Sequence, residues 1–470
     1  MATGVCDLLA VARVVRDPLG AMQSSIPDRS MTAKPRAFAE AVRPPWMERN
    51  LAIVLGARAS MSAARSVAGV ITALYLSAEG FSGLRIGMLF LCVALASAVM
   101  SSAIGVVSDA LGRKVFLVVV PLLASISACV FALDRTAPLL FVFAAFGSFG
   151  RGAGAGAGNV GPYQPAEAAF VAESVPEGQR TDVFGRLAFV SALGALAGGL
   201  LAGLARPGRA TGLAAELAYR PAFLAAAVLA ALAGIVALGL SEPARPPRSG
   251  DRRVWFVLPR RSWGALWRFW ITNGLNGLAI GMFGPFVSYW FHRRYGSSPG
   301  EIGVLFAVVN VATLISSLSA GHIERRLGTL RAIVGVRFLQ AALLVPLALA
   351  PAFWIAGGIY LVRMLVQRVG LPLRQSFTQA VADPAERAGL AALSNLPAQG
   401  SQAGSQVLAG YLFDEVSLAA PMLLAAGLQA LNAVAYGALF RSVPSSTAVP
   451  SGVSGVEEAN EIPGVGTGAT

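Results

Sequence analysis

Two histidines and three cysteines in 470 residues leave little material for a metal centre or a thiol relay. His292 and His322 stand apart near span ends, and Cys6, Cys92 and Cys129 show no ligand or redox spacing. Charge is scarce too. Asp, Glu, Lys and Arg make up 13% of the chain, against about 25% in a soluble domain. The glycine run Gly152–Gly158 has no Lys-Ser/Thr behind it and no soluble strand before it, so a phosphate cradle is excluded. The helix is expected to thin there and to end at Pro162 and Pro165. No nucleophile stands beside a base, and no folded soluble region is long enough for a nucleotide-driven motor or a sensor domain. These absences exclude an enzyme and a primary pump. The net charge of +13 forms no basic stripe on a soluble domain, which excludes nucleic acid as a partner. Val5–Val15 is too short and too charged for a signal peptide. The first residues read as a disordered tail, with Met31 or Met47 as alternative starts.

What the chain has is apolar length. It is 55% hydrophobic, and its charges fall in short clusters between runs of about 20 apolar residues, the length that crosses a bilayer. Twelve such runs lie near Leu51–Leu76, Ile86–Val107, Val115–Leu133, Pro138–Asn159, Leu187–Leu204, Pro221–Leu240, Ala265–Phe291, Ile302–Ala320, Ala332–Ala350, Phe353–Val369, Leu390–Leu412 and Ala419–Phe440. The expected organisation is a cytoplasmic tail over 1–48, a six-helix bundle over 49–240 and a cytoplasmic linker over 241–263. A second bundle over 264–441 and a tail over 442–470 follow. Loops on the side of the termini hold roughly 23 Lys and Arg against roughly 7 on the other side, so both termini are expected in the cytoplasm of a cell-membrane protein.

The tight polar turn GVVSDALGRK, Gly105–Lys114, recurs in degenerate form as GHIERRLG. Upstream, Gly80, Ile86, Gly87, Leu89 and Phe90 meet Gly296, Ile302, Gly303, Leu305 and Phe306 at the same offset, and Pro165, Phe170 and Arg180 answer Pro372, Phe377 and Arg387. Register kept over three loops means two homologous halves, and repeated membrane halves are the build of a carrier that rocks one half against the other. Gly105 and Gly112 allow close approach and unusual backbone angles. Asp109 and Arg113, four apart, would pair across a helical turn.

On these residues the turn resembles the signature loop between the second and third spans of the major facilitator superfamily. Gly105, Asp109, Gly112, Arg113 and Lys114 match it, and the resemblance runs from about Leu51 to Phe440. It implies an all-α polytopic membrane protein with 12 transmembrane helices in two pseudo-symmetric six-helix halves. It also implies that Asp109 and Arg113 latch the halves on the cytoplasmic side. Arg325 and Thr329 depart from the pattern in the second copy. Arg151 resembles the fourth-span arginine of the proton-antiporter branches. Gly194, Gly198 and Gly199 resemble their fifth-span glycine motif, with Ala195 in place of the proline; helix packing through small residues explains the same spacing.

Seven arginines lie in or beside the spans: Arg58, Arg65, Arg151, Arg337, Arg363, Arg368 and Arg374. Each costs about 2.5–3.5 kcal/mol at mid-bilayer on insertion scales, so they face the interior, water or an interface. The resemblance puts the first, fourth, seventh and tenth spans around a central cavity. Arg58, Arg65, Arg151, Asn273, Asn276 and Arg363 are therefore the candidate substrate-binding residues, a positive lining for an anionic solute; the arginines serve equally as structural bridges between helices. No acid stands near the middle of a span, although Glu167 titrates in the interior if its helix runs on. The expectation is a secondary transporter of a small organic solute working by alternating access, with export favoured by the antiporter-like spans. Uptake or exchange of an organic anion is the alternative, followed by a non-transporting sensor. No cofactor is expected. Expected partners are the lipid bilayer, a small-molecule substrate and a proton or counter-ion, with the chain a monomer.

Overall fold

The computed structural model describes residues 45–148, 161–175, 179–206, 215–242, 261–316, 326–383, 386, 390 and 393–441, without the side chains of 45–48, 106, 109, 110, 181, 215, 216, 313–316 and 379. The chain forms two compact units, Met1–Glu48 and Arg49–Thr470. Of the first only residues 45–48, the opening turn of a helix, are described. The second holds the spans.

In the first half run α1 (Pro45–Ala78), α2 (Gly83–Leu111), α3 (Arg113–Leu133), α4 (Ala137–Gly147), α5 (Gln164–Ser174), α6 (Arg180–Leu201) and α7 (Ala215–Ala237). The second half holds α8 (Trp263–Phe283), α9 (Val287–Tyr295), α10 (Pro299–Ser316), α11 (Thr329–Leu349), α12 (Phe353–Val381), α13 (Leu396–Glu415) and α14 (Ala420–Leu439). The protein is an all-helical membrane protein of 12 spans in two pseudo-symmetric six-helix halves, with α4 and α5 sharing the fourth span and α8 and α9 the seventh. Among the described residues seven helices are long and apolar enough to cross a membrane by length and composition. Outside that set stand α8, with Asn273 and Asn276, α12, with Arg363, Arg368 and Arg374, and α13, with Gln399, Gln402 and Gln406. These are spans with polar groups to keep away from lipid.

Several elements depart from the sequence expectation. Pro165 does not end the fourth span. It stands in the first turn of α5, where its missing N–H costs nothing. Ser148, at φ 50°, closes α4; Arg151, Gly152–Gly158 and the rest of the expected span to Asn159 lie outside the described residues. The tenth span continues through Pro372 to Val381, and α13 begins at Leu396 rather than Leu390. In the seventh span Pro285 sits in the single 3₁₀ turn that joins α8 to α9.

The pairings repeat between the halves. α3 packs on α7 as α11 packs on α14, α2 on α4 as α10 on α12, and α3 on α4 as α11 on α12. Among the described residues the two largest helix pairings from half to half are α2 with α13 and α6 with α10, and they too are equivalent by the repeat. Both cross at the end where α1 turns into α2, called here the far end; the other is the terminus end.

Glycine lets these crossings close. A Cβ on Gly87 would overlap the carbonyl of Gln406, and one on Gly303, its partner in the repeat, would overlap the carbonyl of Gly199. A Cβ on Gly199 would meet Gly303 O at 2.6 Å. The backbones touch where side chains would hold them apart, which is the membrane mode of helix association. Asp414 of α13 reinforces the seam: its carboxylate accepts from Gly83 N and Leu84 N at 2.8 and 2.9 Å, capping α2 from the other half. Asp414→Ala is expected to weaken far-end closure by about 0.5–2 kcal/mol, the usual worth of a cap. Distances between spin labels on α2 and α13 check it, with a new longer population expected.

The buried core has the same asymmetry. One cluster at the far end runs through both halves, with Phe90 against Phe286 at 5.4 Å and Phe286 against Phe413 at 5.3 Å. Towards the terminus end there are two clusters, one in each half: Val54, Phe170 and Leu240 belong to the first, Leu266, Phe377 and Phe440 to the second. Among the described residues the halves are joined at one end and separately packed at the other.

Candidate functional site

Behind the far-end seam lies a cavity of about 550 Å³ between the halves. The first half supplies Arg65, Ser97, Ser101, Ser148 and Gln164, and α13 of the second supplies Gln399 and Gln402. Ser97 is ten residues beyond Gly87 along α2, about 15 Å deeper at the helical rise. Arg65 Nη1 donates to the Ser148 carbonyl at 3.1 Å, and Ser97 and Ser148 share a hydroxyl–hydroxyl bond. The carbonyl belongs to the residue that closes α4, so Arg65 answers one of the orphan acceptors of an interrupted helix. A Cβ on Gly161 would stand 2.9 Å from Arg65 Nη1, so the absent side chain makes room for the guanidinium. No Asp or Glu is among the described lining residues. Guanidinium, amide and hydroxyl donors facing a confined cavity suit a solute with acceptor oxygens.

The other candidates are placed differently. Arg58 is buried, but its Nη1 pairs with Glu167 of α5 and its Nε donates to Ser191 Oγ of α6 at 2.6 Å. Its charge is answered inside the first half, so Arg58 joins three helices rather than offering an open positive lining. Glu167 is 1% exposed, which corrects the expectation that acids keep out of the interior: it is buried on α5, a helix separate from α4. Asn273 Nδ2 donates to the Ser394 carbonyl at 2.8 Å, tying α8 to the approach to α13. Asn276 Oδ1 accepts from Arg337 Nη1 at 2.9 Å. Arg363 is buried with its guanidinium 5.8 Å above the Phe283 ring and, among the described residues, no acceptor for its Nε.

At the terminus end, Gly112, at φ 106°, separates α2 from α3. The two helices are distinct, so the single helical turn expected to pair Asp109 with Arg113 is not formed. Arg113 instead pairs with Glu173 of α5 at 2.5 Å. The Lys114 N–H donates to Glu242 Oε1 at 2.9 Å, giving α3 a cap from beyond α7. Gly105 is exposed on α2 with open space around it, and the Asp109 side chain lies outside the described residues. Gly194 and Gly198 of α6 press on the carbonyls of Ala59 and Ala63 in α1. In the equivalent pair of the second half the glycines are on the other partner: Gly277 and Gly281 of α8 press on Ala398 and Gln402 of α13.

Sequence reasoning missed Gln399 and Gln402, which an apolar-run search passes over, and the link from Arg337 to Asn276. The signal for Glu167 was present, an acid set among the apolar residues of PAEAAFVA. Among the described residues no group of His, Cys, Asp and Glu is arranged to hold a metal ion.

Two repeated halves closed at one end around a polar cavity define a membrane carrier. Comparison with known proteins agrees. The family model described as Major Facilitator Superfamily matches residues 54–274. The quinolone resistance protein NorA of Staphylococcus aureus (strain MSSA476) is 24% identical over 369 residues, covering 77% of this chain and 88% of that protein. The multidrug resistance protein MdtG of Serratia proteamaculans (strain 568) is 26% identical over 279 residues, 58% of this chain and 63% of that protein. Among solved structures, the nucleoside transporter NupG superimposes with a TM-score of 0.65 at 15% identity, covering 85% of this chain and 100% of that one. A bacterial homologue of the human lysosomal transporter Spinster gives 0.64 at 14% identity, covering 85% and 98%. The family model and these relatives together support a secondary transporter of the major facilitator type.

Proposed function

We propose that the protein exports a small organic solute carrying a carboxylate, by alternating access of the cavity around Arg65. The observation that carries the reading is the asymmetric closure: one core and two glycine seams at the far end, two separate cores at the other. With the termini in the cytoplasm of the cell membrane, as the Lys and Arg distribution favours, this is an inward-open carrier awaiting its load. Export is supported by the similarity to two resistance proteins. In this reading residues 49–240 and 264–441 are the moving bundles, 241–263 the linker, and 1–48 and 442–470 the tails. A single chain suffices, and transport rather than catalysis is the activity.

The proposed site assignments rest on the cavity lining and on the family resemblance. Arg65 pairs with the solute carboxylate, with Ser101, Gln399 and Gln402 holding its acceptors. Arg151, beyond the described residues, and buried Arg363 extend the positive surroundings, and Asn273 and Asn276 fix the seventh span. Gly105, Asp109, Gly112, Arg113 and Lys114 form the cytoplasmic latch, closing against the second half when the solute has left. Gly194, Gly198 and Gly199 are packing contacts. Glu167 is the one described acid buried in the first half, and a proton arriving there would release Arg58, which supplies a coupling route.

Everted vesicles loaded with protein and offered a quinolone, which carries a carboxylate, test the proposal against the same compound as its methyl ester. Uptake is expected for the acid, and Arg65→Gln is expected to lose about tenfold in preference for acid over ester, equivalent to about 1.4 kcal/mol. An unchanged preference overturns the assignment of Arg65. Uptake of organic anions into right-side-out vesicles, with none into everted ones, would favour the second reading, import or exchange, to which the absence of acids from the described cavity lining also points.

A further inference from the structure

We propose that the second half holds a small-anion site of its own, separate from the cavity between the halves, in a pocket of about 110 Å³ lined by α8, α11 and α12. Arg337 and Arg374 both line it, together with Asn276, Gln340 and Gln367. Arg337 is 5% exposed. Its Nη1 donates to Asn276 Oδ1, and its guanidinium lies 4.9 Å over the Tyr436 ring. Both partners accept the cation, yet neither brings a negative charge. No Asp or Glu is among the described residues that line the pocket.

The first half shows the contrast. There Arg58 is buried with Glu167 to answer it. In the second half Arg337 and Arg374 share one confined space, and Arg337 lies eight residues into α11, about 12 Å from the helix start. Two cations with no carboxylate among the described residues of the pocket repel each other and are costly to desolvate. An anion seated between them removes both penalties, and the amides of Asn276, Gln340 and Gln367 supply neutral donors to complete its shell.

Size fixes the class. Water occupies about 30 Å³ per molecule, so the pocket takes the equivalent of three or four waters. That suits a halide or an acetate-sized carboxylate. Pockets for drug-sized compounds run from about 300 Å³ upward, so the transported solute belongs in the larger cavity and this site holds a counter-ion.

The test uses the purified full-length protein in detergent, with thermal unfolding followed in sodium chloride, sodium acetate or sodium gluconate at matched ionic strength. A saturable rise in Tm is expected with chloride or acetate relative to gluconate, which is too large to enter. A response to chloride alone marks a halide site, and a response to acetate marks one that accepts carboxylates. Arg374→Gln is expected to raise the half-saturating concentration about tenfold, with Arg374→Lys in between. Equal Tm in the three salts overturns the proposal, and so does an Arg374→Gln protein that responds as the unaltered one does. The salt series on the unaltered protein decides by itself if the variants do not fold.

Discussion

Glu167→Gln is expected to cost the protein about 3–5 kcal/mol of stability, because it removes the carboxylate that answers the Arg58 guanidinium among three helices. Both side chains are buried, with relative exposures of 9% for Arg58 and 1% for Glu167. An amide at position 167 keeps the shape and an acceptor oxygen but gives no charge to set against the guanidinium. Ser191 still accepts from Arg58 Nε, and one hydroxyl dipole does not neutralise a cation. The double variant Arg58→Gln/Glu167→Gln is expected to recover most of the loss, since two amides can bond each other and no charge remains buried. Thermal unfolding of the four proteins in a double-mutant cycle measures the coupling directly. If the two losses simply add, the pair does not hold α1, α5 and α6 together.

Gly303→Val is expected to stop transport by prising the far end apart. Its Cβ would overlap the Gly199 carbonyl, a backbone group that no rotamer change can move aside. Overpacking of this kind costs about 1–3 kcal/mol, and here the cost falls on one conformation: the far-end-closed state has the α6–α10 contact, and a state with the far end open need not. A cost of about 1–3 kcal/mol confined to the closed state moves the balance about 5- to 150-fold towards far-end opening. Gly87→Val should do the same through the α2–α13 seam, since Gly87 faces the Gln406 carbonyl. Distances between spin labels across the far end are the readout, together with initial rates of transport. A Gly303→Val protein that keeps both the short distances and the rate would show that the seam has room the backbone contacts deny.

The seam was half visible beforehand. Gly87 and Gly303 stand in register in the repeat, so their equivalence could be read from the chain; their contacts with the carbonyls of Gln406 and Gly199 could not, because nothing in a repeat says which helix faces which. The spans were legible for a plain reason. A bilayer demands about 20 apolar residues at each crossing, and the chain provides them even where the helices are interrupted by Ser148 or Pro285.

The site was less legible than the scaffold. Arg58 and Arg65 sit on one face of α1, seven residues apart, yet Arg58 meets Glu167 while Arg65 lines the cavity. Periodicity gives a face and says nothing of what stands opposite. Glu167 escaped as an interior residue because α5 lies beyond the apolar run that marks the fourth span. The sequence marks Arg337 as a span arginine, but its bond to Asn276 joins residues on different helices with no shared spacing. The Asp109–Arg113 turn shows the reverse error: four-residue spacing implies a helical pair only where the helix continues, and Gly112 ends it.

Alternating access requires that a single cavity be reached from one side of the membrane at a time. Ser101→Cys, placed in the cavity wall in a protein otherwise free of cysteine, tests this with a membrane-impermeant thiol reagent. Without substrate the reagent is expected to label residue 101 only from the side of the termini, and with the transported solute present labelling from the opposite side should rise while the first falls. Labelling from both sides at the same rate, with or without solute, would describe an open pore and contradict the alternating carrier.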